Sequence, residues 1–215
     1  MVLVAAPGKD LKHAEKEVKA IALEFRSQGP TILSGSRARE EDVVQKLPRA
    51  DWIHFACHAH LDKESPRFSW LELSPSGAGD GRLEVHEIER LSLKARLVTL
   101  AACETGLELG AGGLYSPGED LIGMGRAFLA AGAGTVVAAL WDIPDRDALA
   151  IMSAFYSELA KTPDEPALAL NRASLRLMSS GGGDGPRHPF LGAAFVAIGA
   201  GASSRALAAE DAGVR

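Results

Sequence analysis

Three short apolar runs in this 215-residue chain end in side chains able to do chemistry. One ends at Cys57-His58-Ala59-His60, a second at Cys103-Glu104-Thr105, and a third at Trp141-Asp142 with Asp145 close behind. Thiol catalysis needs a thiolate near neutral pH and a partner that handles the proton of the leaving group. A free cysteine titrates near ~8.5, so it needs an electropositive neighbour. A histidine on an adjacent strand end supplies one, and it can also protonate a leaving amine. Main-chain N–H groups at the strand-to-loop turns can hold a tetrahedral oxyanion. Each residue also has a plainer reading. A cysteine in an apolar strand is usually a small hydrophobe, and Cys57 is read that way. His54 lies inside its strand, four residues before His58, and reads as a core or supporting group. His60 reads as a solvated loop histidine. Asp145 fits an N-cap of the helix that follows. Asp142, before Pro144, has no such local role.

The elements that would bring these residues together are legible as periodicity. Six short apolar, partly β-branched runs predict buried strands over Met1–Ala5, Thr31–Ser34, Trp52–Cys57, Arg96–Ala102, Thr135–Leu140 and Ala193–Ile198. Ala14, Val18, Ile21 and Phe25 recur at steps of three or four, which predicts an amphipathic helix over Asp10–Gln28. A shorter helix fits Arg39–Leu47. Ser116-Pro117-Gly118-Glu119 carries N-cap chemistry for a helix ending near Gly132. Leu149, Met152, Tyr156 and Leu159 mark another, and Thr162-Pro163-Asp164-Glu165 repeats the capping pattern before a helix to about Ser179. Trp70–Leu73 and Arg82–Val85, joined across Ser74–Gly81, predict a small hairpin. Strands alternating with helices imply right-handed crossovers and an α/β sandwich of about six mainly parallel strands with helices on both faces. In such a sheet, reactive groups collect at the carboxyl edge, where all three chemistry-bearing ends would lie.

Composition narrows the function. Hydrophobic residues make up 47% and charged residues 24%, enough for one cored domain over 1–201, with a polar alanine-rich tail over 202–215. The net charge of −5 supplies no general basic footprint, so neither nucleic acid nor an anionic membrane surface is an expected partner. Two cysteines, no secretory leader and no long apolar stretch point to a cytoplasmic protein with reduced thiols. Cys57 and His58 are strand neighbours pointing to opposite faces, which argues against joint zinc ligation. Gly110-Ala111-Gly112-Gly113 lacks the Lys-Ser/Thr ending of a phosphate loop. No cofactor is expected.

Ile53-His54-Phe55-Ala56-Cys57-His58-Ala59, Leu97–Thr105, Ala130–Trp141, Phe155-Tyr156 and Ala193–Gly199 together resemble the CHAT-domain peptidases, caspase-like cysteine proteases of clan CD related to separase. The resemblance spans roughly residues 1–200. It implies a caspase-like three-layer fold, His58 as catalytic histidine and Cys103 as nucleophile. It also implies an oxyanion hole from the N–H groups of Ala59 and Cys103. Ala59 stands where the family usually has glycine, and Asp142 where it often has proline. Trp141-Asp142-Ile143-Pro144-Asp145 looks more like separase, whose pocket acid binds a P1 arginine, so Asp142 and Asp145 become candidates for a basic P1 site. The implied substrate is a protein or peptide, and a regulatory partner or attached domain is expected to gate activity. A typical CHAT domain has an additional N-terminal half, so the chain is expected to be a compact version or an excised piece. The rival readings are a catalytically silent caspase-like binding module, or a peptidase with an apolar P1 preference.

Overall fold

The computed structural model describes residues 1–6, 8, 11–62, 64–101, 103–104, 117–141, 143–179 and 189–199, with the main chain alone at 103–104 and 117–122. In chain order the strands are β1 (Val2–Ala5), β2 (Thr31–Ser34), β3 (Trp52–Ala56), β4 (His58–His60), β5 (Trp70–Glu72), β6 (Arg82–Glu84), β7 (Leu97–Leu100), β8 (Cys103–Glu104), β9 (Thr135–Ala139) and β10 (Phe195–Gly199). The helices are α1 (Ala14–Glu24), α2 (Glu40–Lys46), α3 (Val85–Ile88), α4 (Pro117–Ala130), α5 (Asp145–Leu159), α6 (Pro166–Ser179) and α7 (Pro189–Gly192).

The large sheet runs in the order β10-β9-β7-β3-β1-β2, parallel throughout except for β10, which returns antiparallel along the edge. This is the mainly parallel six-stranded sheet expected from the sequence. Strands β1, β3, β7 and β9 are buried along their whole length, which explains why they read as continuous apolar runs rather than alternating ones. Neighbouring residues of β3 mark the two faces. His54 meets Tyr156 of α5, with ring centroids 5.4 Å apart, and Phe55 meets Phe128 of α4 at 5.7 Å. The helices α1, α5 and α6 form one layer, and α4 lies in the other. Helix α4 stops where Gly132 takes a left-handed φ of 111° against the Leu93 carbonyl, where a Cβ would come within 2.4 Å of the oxygen.

A second sheet, β6-β5-β4-β8, branches from the first. The expected third strand, Trp52–Cys57, ends at Ala56, because after Cys57 the chain leaves the large sheet and starts β4. The hairpin appears as β5 and β6, and Glu84 and Glu87 form a capping box that turns the chain directly into α3. Helix α6 starts at Pro166, three residues later than the Thr162 capping pattern suggests. Pro166 lacks an N–H and suits a first helical position, and it biases Glu165 away from helix. Helix α1 is shorter than expected: a 3₁₀ turn over Arg26–Gln28 follows it and ends on left-handed Gly29. The start of the expected helix at Asp10, the cap at Ser116 and the tail over 202–215 lie outside the described residues.

Candidate active site

The branching sheet follows from where β3 and β7 end. Both run parallel toward the same edge, and both chains continue past it into the short strands β4 and β8. There His58 is the register partner of Cys103, and Ala59 of Glu104. Neighbouring strands lie about 4.8 Å apart, so register partners are adjacent in the main chain. The sequence-predicted pair is therefore brought together through the main chain of the two strands.

His58 is 8% exposed, and its Nδ1 is buried with no hydrogen-bond partner among the described residues. Such an atom is costly unless another group completes it, and active sites are where such costs are tolerated. The other side of the ring lies against the main chain of Gly8, just beyond β1. A Cβ built on Gly8 would stand 2.8 Å from His58 Nε2, 3.0 Å from Cδ2 and 3.1 Å from Leu11 Cδ1. Only a residue without a side chain lets the chain pass this close. Gly8 was missed in the sequence, although a glycine just past a strand end is a signal of close backbone approach.

Ala59 is fully buried in β4, between β5 and β8. Cys57 is fully buried. Asp142 lies outside the described residues. Asp145 opens α5, and its Oδ2 accepts both the His13 main-chain N–H at 2.7 Å and a contact from His13 Nδ1 at 2.9 Å. It thus ties the start of α1 to the start of α5 rather than capping its own helix, whose N-cap is Pro144. Trp141 stacks on Phe190 at 5.1 Å, and its buried Nε1 has no partner among the described residues.

His60 is not the solvated loop residue expected. It belongs to β4, stacks on Trp70 with centroids 4.6 Å apart, and places Nε2 2.7 Å from Glu72 Oε2. The Arg82 guanidinium lies 4.6 Å from the same Trp70 ring. Pairing with β5 explains the error: Trp70 is the register partner of His60, a contact that nothing in the His-Ala-His segment announces. His54 is fully buried, in contact with Glu17 and Tyr156. Tyr156 is wholly buried, which holds its hydroxyl proton well above the ordinary range of a phenol.

Comparison with known proteins agrees with this architecture. In the yeast Saccharomyces cerevisiae, the crystal structure of the separase-securin complex contains a chain similar in fold, with a TM-score of 0.56 and 16% identity, over 93% of this chain and 12% of that one. The sheet and its covering helices therefore have the caspase-like arrangement. The mouse protein Tetratricopeptide repeat protein 28 is 29% identical over 165 residues, which is 59% of this chain and 6% of that protein. The chain thus spans only a small part of either relative. No helix among the described residues is long and apolar enough to cross a membrane. The CHAT domain pattern matches residues 3–200, and the chain belongs to the CHAT-domain family.

Proposed function

We propose that the chain is a cysteine endopeptidase that works through His58 and Cys103. The observation that carries this reading is the direct register pairing of the two residues, together with the buried Nδ1 of His58, which has no partner among the described residues. In this mechanism His58 accepts the thiol proton and the Cys103 thiolate attacks the scissile carbonyl. The main-chain N–H groups of Ala59 and Cys103 hold the oxyanion. His58 then protonates the leaving amine, and water attacks the resulting thioester with His58 as base, which returns the thiol. Asp142 is proposed to meet a basic P1 side chain. Asp145 is a weaker P1 candidate, because one of its oxygens already holds α1.

A gate outside this chain fits the relatives. One is a tetratricopeptide repeat protein, and the other was crystallised as a complex with securin. The chain is proposed to be controlled by an attached domain or a bound partner, with a protein or peptide as substrate.

The test is selective alkylation combined with a peptide-library cleavage profile. Cys103 is expected to react with iodoacetamide faster than buried Cys57, with a pH dependence that His58→Ala abolishes. Cys103→Ala is expected to end cleavage while keeping the wild-type melting temperature within a few degrees, since one thiol-to-methyl change removes little packing. Equal, sluggish alkylation of both cysteines and no cleavage would instead identify a silent binding module.

A further inference from the structure

On the α1 and α5 side of the large sheet, four polar side chains that the dyad chemistry does not use are closed off from solvent. His54 Nε2 lies 2.8 Å from Glu17 Oε1, and His54 Nδ1 lies 3.2 Å from the Tyr156 hydroxyl. That hydroxyl donates to Thr99 Oγ1 at 3.0 Å. His54 and Thr99 are 0% exposed, Tyr156 1% and Glu17 2%. Four elements contribute one residue each: α1, β3, β7 and α5.

The ring of His54 is held at both nitrogens, Nε2 by Glu17 and Nδ1 by the Tyr156 hydroxyl. The same hydroxyl reaches Thr99 Oγ1, so one continuous set of contacts runs from α1 through β3 and α5 to β7. Apolar rings pack around it: Phe25 and Phe155 set their edges against Tyr156 with centroids 6.0 and 5.0 Å apart.

The position of this chain of bonds gives it a role. His54 and Thr99 are register partners across β3 and β7, and four residues further on His58 and Cys103 are partners across β4 and β8. The same offset therefore carries from the buried network to the site. Apolar strands of similar side chains offer little to choose one register over its neighbours. A slip of one residue would put a different residue opposite His58 and reverse its face. A satisfied buried polar network is a device that can specify one register.

We propose that Glu17, His54, Tyr156 and Thr99 are positioning residues, a buried hydrogen-bonded network that locks β3 to β7 and so sets His58 opposite Cys103. The positioning role rests on the dyad reading above.

The experiment takes the whole chain and compares Thr99→Val, Thr99→Ser and Tyr156→Phe, with Val43→Ala as a control. Val43 is fully buried in α2, away from the network. Thr99→Val and Tyr156→Phe are expected to lower kcat/KM about tenfold or more, mainly through kcat, as misplacement of reacting groups does. In both, the pH profile of Cys103 alkylation is expected to move toward that of a free thiol near ~8.5. Thr99→Ser, which keeps the hydroxyl, restores both. Val43→Ala loses melting temperature but keeps the profile. An unchanged alkylation profile in Thr99→Val, or an equal shift in Val43→Ala, overturns the positioning role. Should His58→Ala alkylate Cys103 with the wild-type profile, the dyad reading itself falls, an outcome distinct from an unchanged profile in Thr99→Val alone.

Discussion

Replacing Gly8 with alanine should separate activity from stability. The new Cβ would stand 2.8 Å from His58 Nε2. Ordinary carbon contacts lie near ~3.5 Å, so the ring must move by about 0.7 Å. The ring is the far end of a side chain and can yield where main chain could not. Displacements of about 1 Å in a catalytic group cost about 10²-fold in rate, so kcat/KM should fall by about 10- to 10²-fold, or about 1.4–2.7 kcal/mol. Gly8 is not among the residues with positive φ, so alanine is tolerated by the backbone there. The lost freedom of the unfolded chain then contributes about 0.4–1 kcal/mol of stability. The melting temperature should hold or rise while activity drops. Gly77→Ala is the control, because a Cβ there meets nothing within 4 Å. The assays are kcat/KM on a peptide selected from a library, and calorimetric melting of the three proteins. Wild-type kcat/KM in Gly8→Ala would refute the placement of His58 in the chemistry. A parallel fall in melting temperature would show that the fold absorbs the clash, not the ring.

His58→Ala should cost on the order of 10²–10⁴-fold in kcat/KM. His60→Ala should cost less than about fivefold, since its half-exposed contact with Glu72 is worth at most about 1 kcal/mol; measuring both on one substrate ranks them. Asp142→Asn should slow a P1 arginine reporter on the order of 10²-fold or more and leave a P1 leucine reporter nearly unchanged. Equal slowing of both reporters would remove Asp142 from the P1 site. The folded protein holds the Tyr156 proton more tightly than the unfolded chain, whose tyrosine ionises near 10.0. Stability should therefore fall as pH rises above that value, by up to about 1.4 kcal/mol per pH unit, and Tyr156→Phe should remove that slope in urea unfolding.

The parts of this molecule that could be read from sequence are those governed by local rules. Buried parallel strands show themselves as apolar runs, and β1, β2 and β9 fall within a residue of the expected spans. The register pairing of His58 with Cys103 was legible because strand ends in such sheets share an edge. What could not be read depends on partners far along the chain. Asp145 looks like a helix cap, but its partner His13 lies 132 positions away. His60 looks like a loop residue because its strand is only three residues long and its stacking partner, Trp70, comes from a hairpin. Gly8 carries no side chain, so its importance lies wholly in what would collide with one.

The branching of the two sheets has a thermodynamic consequence. The large sheet is a deep ladder of strands four or five residues long, whereas β8 adds only two residues beside β4. Free energies of local opening range from near zero up to the global value, and short ladders sit at the low end. The pairing of His58 with Cys103 can therefore open while β3 and β7 stay closed. Amide protons of β4 should exchange faster than those of β3, and heat should silence any chemistry of this pair at temperatures where the core still resists exchange.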